Sequence, residues 1–218
     1  MYILDTTFQN NQIQDENTRR NDARKRLDLY QGLQLPYVED RLETHFSDVT
    51  KFSPTSLNIV KKVIDAKSQI YQRDAERIVS TNKDQELYDK VQDQSHLGLR
   101  MRQANRLSKL CGAIFLKVIW RFDQIDLDLI TPDICSVETG KSPTDIQSVT
   151  ISYYPADGKV SELKHVRWSA NTISTLDYNF NVVSTESNPY GFLPFVPIWS
   201  ELPVSDFWIY PGDSLIST

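Results

Sequence analysis

Acid–base or metal chemistry in this sequence would have to start from Asp126 and Asp128. They stand two apart in Ile125-Asp-Leu-Asp-Leu129, a run that alternates apolar and polar. Residues i and i+2 of a strand share a face, so two carboxylates at this spacing could hold a divalent cation or share a proton in a hydrolase. No third or fourth ligand stands near them, and Asp123 falls in the preceding turn. The pattern therefore reads as the wet face of a half-buried strand. His45, His96 and His165 are far apart and lack metal-ligand spacing. Cys111 and Cys135 lack C-x-x-C spacing and are expected to be buried free thiols in a reducing compartment. The seven glycines are all isolated, so no glycine-rich phosphate loop can be written, and there is no G-x-S-x-G elbow. The expectation is no catalytic residue, no metal and no cofactor.

A second cluster is basic: Arg19, Arg20, Arg24, Lys25 and Arg26. It can be read as a phosphate-facing patch or as a solvated helix face. Asp15 with Arg19, Glu16 with Arg20 and Asp22 with Arg26 are acid-before-base pairs at i,i+4, and this favours the solvated face. The net charge of −5 argues against a nucleic-acid binder held by a basic patch.

The elements that position these groups divide the chain in two. Residues 1–110 carry 18 Lys+Arg against 16 Asp+Glu, whereas residues 111–218 carry 6 against 13. All four tryptophans and eight of the ten prolines lie in the second part. Helices followed by strands imply an α+β fold, with N-terminal helices packed on a C-terminal antiparallel β-meander. Residues 1–14 are polar and aperiodic and read as a flexible arm. Residues 15–218 read as one α+β domain, mainly helical over 15–111 and mainly antiparallel β over 112–218. Nothing approaches a run of twenty apolar residues, so no membrane helix is expected, and no signal peptide is visible.

A first helix is expected from Asp15 to Tyr30, stopped by Gly32. Pro36 opens a second, Tyr37 to Ser47. Ser53-Pro54 gives a start signal for a third, running to Ala75, with Leu57, Val60, Ile64, Lys67 and Tyr71 on one stripe, widened by Ile59, Val63 and Ile70. Ala75 to Ser80 reads as a short extended piece. Asp84 to Gly112 reads as two helices broken near Ser95–Gly98, with Leu99, Met101, Leu107 and Leu110 as core candidates. Ala113–Phe122 is a strand with Ile114, Leu116, Val118, Trp120 and Phe122 on one face and Lys117 and Arg121 on the other. Asp123-Gln124 turns it into Ile125–Leu129, and Thr131-Pro132-Asp133 ends the hairpin. Ser148–Tyr154 and Lys159–Trp168 flank a Pro155–Gly158 turn; Thr172–Tyr178 and Val182–Thr185 flank Asn179-Phe-Asn181.

Asn188-Pro-Tyr-Gly-Phe-Leu-Pro-Phe-Val-Pro-Ile-Trp199 packs three prolines, one glycine and four aromatics into twelve residues. It reads as a tight turn feeding an edge strand, because proline lacks the N–H that an inner ladder requires. Phe192, Phe195 and Trp199 are expected to pack inward, and Pro203–Thr218 is a proline-containing tail.

The order of these pieces resembles the N-terminal, wing-like portion of tailed-bacteriophage portal proteins. The resemblance covers roughly residues 20–218. It rests on the helix ending in Ile70-Tyr71, the helix–glycine–strand junction Leu110–Trp120, Ile130-Thr-Pro-Asp133, the Asn188-Pro-Tyr-Gly turn with its proline-phenylalanine strand, and Gly212-Asp-Ser-Leu-Ile216. It implies a non-enzymatic subunit of a homo-oligomeric ring, commonly a dodecamer, at one capsid vertex of the virion. Double-stranded DNA would pass through that ring non-specifically during packaging and ejection. The partners implied are the terminase large subunit, the major capsid protein, a scaffold and a head–tail adaptor. The family's stem, clip and crown are expected to be absent from the stretch 1–218, so no tunnel-lining, DNA-contacting or terminase-binding residue is carried over. Another head–tail structural or adaptor protein with the same layout is the alternative, followed by a hydrolase built on Asp126 and Asp128.

Overall fold

The computed structural model describes residues 6–46, 57–69, 75–79, 82–153 and 162–202, with side chains described from residue 16 onward and, after the third of these gaps, from residue 84. Among the described residues five helices come first: α1 (Thr6–Gln31), α2 (Leu35–His45), α3 (Ile59–Lys67), α4 (Asn82–Ser95) and α5 (Leu97–Cys111). Eight strands follow: β1 (Ala113–Arg121), β2 (Gln124–Ile130), β3 (Cys135–Thr139), β4 (Ile146–Tyr153), β5 (Lys164–Ser169), β6 (Thr172–Leu176), β7 (Val182–Ser187) and β8 (Phe195–Trp199). The fold class is α+β, as expected from the order of the elements.

All pairings are antiparallel, and they make two sheets. One is three-stranded in the order β2-β1-β8; the other is the meander β3-β4-β5-β6-β7. The small sheet lies between the helices and the meander. On one face Ile114 joins Leu27, Ile64, Ala104, Leu110 and Cys111 in a helix-side core. On the other, Ala113 and Phe115 join Phe195, Val149, Ile151 and Trp168 in an inter-sheet core. Alternation along β1 therefore sends successive residues into two different cores rather than one core and water. This corrects the expected facing of β1. Lys117 is buried, whereas Trp120 is 60% and Phe122 89% exposed.

Local chemistry explains most boundaries. Gly32 takes φ 87 and its N–H bonds Leu29 O, ending α1. α1 begins at Thr6, so residues 6–14, expected to be part of a loose arm, are helical. His96 breaks the α4–α5 run with φ 51, inside the expected interval. The described helix α3 covers Ile59–Lys67 of the expected span, and Asn58 caps it by accepting from Lys61 N. Ser53-Pro54 and Ile70-Tyr71 lie outside the described residues, as do Ser47, Ser80, the Pro155–Gly158 turn and the tail from Pro203. Among the described residues of the expected stripe only Ile64 is fully buried, with Val60 packed beside it; Leu57, Ile59 and Val63 are exposed. Leu110 is buried as expected, but Leu99 is half exposed. Residues 75–79 pair with no strand; Gln85 instead holds them through Val79 N and Arg77 O.

The β1–β2 turn is Phe122-Asp123, both at positive φ, one residue before the expected Asp123-Gln124. Paired left-handed residues match the strand twist in a two-residue hairpin. β3 was not expected at all. β8 is the expected edge strand. Val118 N donates to Pro194 O and Ser200 N to Gly112 O, both at 2.8 Å. These bonds set the ladder phase, in which Phe115 and Pro197 face each other as a non-hydrogen-bonded pair. The N–H that Pro197 lacks would have pointed to the outer edge, so the proline costs this ladder nothing and blunts that edge.

Two positions on β1 test the two-core arrangement. Phe115→Ala should lower unfolding free energy by about 3–5 kcal/mol, the usual cost of emptying a buried aromatic site. Trp120→Ala, on the exposed end of the same strand, should cost less than about 1 kcal/mol. Equilibrium urea unfolding of both variants measures the difference.

Candidate functional site

Each residue singled out for chemistry has an identifiable place. Asp126 and Asp128 lie on one face of β2, as expected, but they are not free ligands. Arg121 donates to both, to Asp126 Oδ2 at 2.7 Å and Asp128 Oδ2 at 3.2 Å. The remaining Asp126 oxygen accepts from Leu127 N. Among the described residues no group of three His, Cys, Asp or Glu is placed to hold a metal ion. Cys111 and Cys135 are free and buried, and burial pushes each thiol up to about 12, so both stay protonated. Lys117 lies over the ring of Trp168 at 4.5 Å and near Phe195 at 6.0 Å; burial pushes its pKa down.

The basic cluster of α1 is where the sequence reading needs its largest correction. Arg19 does not stand on a solvated face; its expected partner Asp15 lies outside the residues whose side chains are described. Arg19 is 4% exposed and crosses to the chain between β2 and β3, donating to Pro132 O at 3.0 Å and Cys135 O at 2.8 Å. Glu16 holds the guanidinium from the other side and also accepts from Ser136 Oγ at 2.7 Å. Arg20 donates to Asp133 O and to Ser152 Oγ; Arg24 pairs with Asp133 Oδ2 at 3.3 Å and with Asp28. The patch is a seam that fixes α1 to the start of the meander. A guanidinium suits that task because its planar fork donates in several fixed directions. Residue spacing on α1 could not identify the carbonyl acceptors, since they lie more than a hundred positions away.

A second fixed point is Asn188, which is 7% exposed. Its Nδ2 donates to Ser169 O at 2.8 Å, Ala170 O at 3.2 Å and Phe192 O at 2.8 Å, while its Oδ1 accepts from Tyr190 N. One carboxamide thus ties the Asn188–Gly191 turn to the β5–β6 connection. Gly191 takes φ 68 in that turn. Tyr190 accepts from Trp120 N through its hydroxyl, joining the turn to β1. Phe195 is buried and Trp199 packs against the inter-sheet core, as expected; Phe192 is 60% exposed, contrary to expectation.

A cleft of about 790 Å³ opens beside the α1 seam. Its lining includes Arg20, Arg24, His165, Tyr178 and Phe180. His165 Nδ1 stands 2.9 Å from Ser152 Oγ, and burial followed by the nearby Arg20 charge lowers its pKa, against the opposing pull of Asp177. Sequence spacing offered no way to foresee that this histidine would meet α1. His45 and His96 lie elsewhere, on α2 and at the α4–α5 break.

No protein-family model matches the chain, and no curated protein matches it.

The Glu16–Arg19 pair carries a pH signature. Burial raises the Glu16 pKa, but the hydrogen bond and charge of Arg19 outweigh it and leave the carboxyl below its ordinary 4.5. A depressed carboxylate contributes stability in full above its unfolded pKa and loses it as pH falls through the folded value. Glu16→Gln should therefore be clearly less stable than the parent at about pH 6, with the gap narrowing as pH falls below the carboxyl's ordinary 4.5. Urea midpoints measured across that range check the narrowing of the gap.

Proposed function

We propose that this chain is the wing-like part of a structural subunit in a bacteriophage portal ring, with no catalysis of its own. The observation that carries the reading is that sequence-distant motifs of the resemblance meet in one place. The helix–glycine–strand junction at Gly112 and the strand after the Asn188-Pro-Tyr-Gly turn are bonded directly, through Ser200 N to Gly112 O and Val118 N to Pro194 O. Order along the chain and adjacency in space therefore agree.

Two further features support it. Aromatic surface is left uncovered at one end of the small sheet, where Trp120, Phe122 and Phe192 are all more than half exposed. Exposed apolar surface of this kind is commonly covered by another chain. The only carboxylate pair considered for hydrolysis is tied to Arg121, which weakens the enzymatic alternative. The net charge of −5 also suits a ring through which DNA slides, since each neutralised phosphate would add salt-dependent affinity. In this reading the protein resides at the capsid vertex of the virion, with terminase, capsid protein, scaffold and head–tail adaptor as neighbours. No described helix is long and apolar enough to cross a membrane.

Light scattering coupled to size-exclusion chromatography on the full-length gene product tests the proposal. A closed ring of many copies, with a dodecamer as the family's usual number, is the expected result. A strictly monomeric product over the micromolar range contradicts it.

A further inference from the structure

The cleft beside α1 has walls of unlike chemistry. One is a stripe of α1, Asn17, Arg20, Asn21 and Arg24, spaced three and four apart on one helical face. The other carries His165, Tyr178 and Phe180 from the β5–β7 end of the meander. The α1 wall presents two guanidinium groups, which only donate, and two carboxamides, which donate and accept. Asp133 is the one acidic group lining the cleft among the described residues, and its oxygens are already occupied. Thr131 Oγ1 donates to Oδ1 at 2.5 Å and Arg24 to Oδ2 at 3.3 Å. Asp177, which also acts on His165, is filled by Asn179 N, Asn181 N and the Asn181 carboxamide.

Arg20 donates to Ser152 Oγ at 2.9 Å, and the same oxygen stands 2.9 Å from His165 Nδ1. Ser152 thus ties the imidazole to the α1 wall. The other ring nitrogen, Nε2, is buried and has no partner among the described residues. A buried polar atom without a partner is unfavourable and demands an explanation.

The aromatic side is also held at a cost. Phe180 sits at φ 64, a region that bulky side chains rarely adopt. Its ring lies flat on His165, with centroids 4.0 Å apart and planes 12° from parallel, and the residue is still 51% exposed. Tyr178, also lining the cleft, is 48% exposed. Strained backbone thus presents an aromatic surface next to the two guanidinium groups.

We propose that this cleft binds a phosphate monoester carried on a planar ring, a nucleoside monophosphate in chemical class. Arg24, Arg20 and Asn21 take the phosphate oxygens; Phe180 and Tyr178 take the ring by stacking. A volume of about 790 Å³ suits a ligand of that size. The inference stands apart from ring assembly and does not depend on it.

Calorimetric titration of the full-length protein with adenosine monophosphate, adenosine and inorganic phosphate tests it. Saturable binding of the monophosphate is expected, at least about tenfold tighter than either fragment, since both subsites contribute. Phe180→Ala should weaken the monophosphate about tenfold and leave inorganic phosphate unchanged. Asn21→Ala should weaken the monophosphate and inorganic phosphate alike. Asn21 is exposed, so this variant keeps the test open if Arg24→Ala, which also loses its contact with Asp133, fails to fold. Absence of saturable binding, equal affinity for adenosine and its monophosphate, or binding indifferent to both variants would overturn the proposal.

Discussion

The structure depends on one strand that has no wet face along most of its length. β1 sends Ile114 into a core with α1, α3 and α5, and Phe115 into a core with the meander. A strand buried on both faces cannot be stable unless both covering layers are present, because each exposed apolar face would forfeit about 25 cal/mol per Å². The helices and the meander are thus coupled through it. The two edges of β1 are covered as well, by β2 and by β8.

Two polar devices pin these covers in place. Arg19 takes a charge into a nearly closed site and spends it on backbone carbonyls that no strand ladder uses, with Glu16 as its counter-charge. Burial of an unpaired guanidinium would be strongly unfavourable, so the geometry of the pair and of the two carbonyls is fixed together. Asn188 does the equivalent at the far end without charge, gathering three carbonyls with one amide.

Local chemistry made the element types legible before any coordinates. Gly32, the His96 interval, Gly112 and the proline-rich edge all end or start elements for reasons contained in a few neighbouring residues. The same local reasoning failed where distance in sequence is large. The i,i+4 acid–base spacing on α1 is real, but Arg19 is buried against the Pro132 and Cys135 carbonyls rather than laid along a solvated face. Alternation on β1 is equally real. Alternation set Lys117 on the face opposite Ile114 and Leu116, and a central sheet buries that face as well. The missed β3 is short and half-polar, and its strand character comes from pairing with β4 rather than from its own residues. The cleft joins Arg20 on α1 to His165 on β5, a meeting that spacing along the chain does not encode.

The central claim is that helices, small sheet and meander form one cooperative block hung on β1. Native-state hydrogen exchange followed against denaturant tests it most directly. The account predicts that the amides of Ile114, Leu116 and Val118 exchange only through global unfolding, with the same free energy and denaturant slope as those of Ile151 in the meander and Leu110 in α5. Two separate opening free energies, with the meander or the helices exchanging while β1 stays protected, would contradict it.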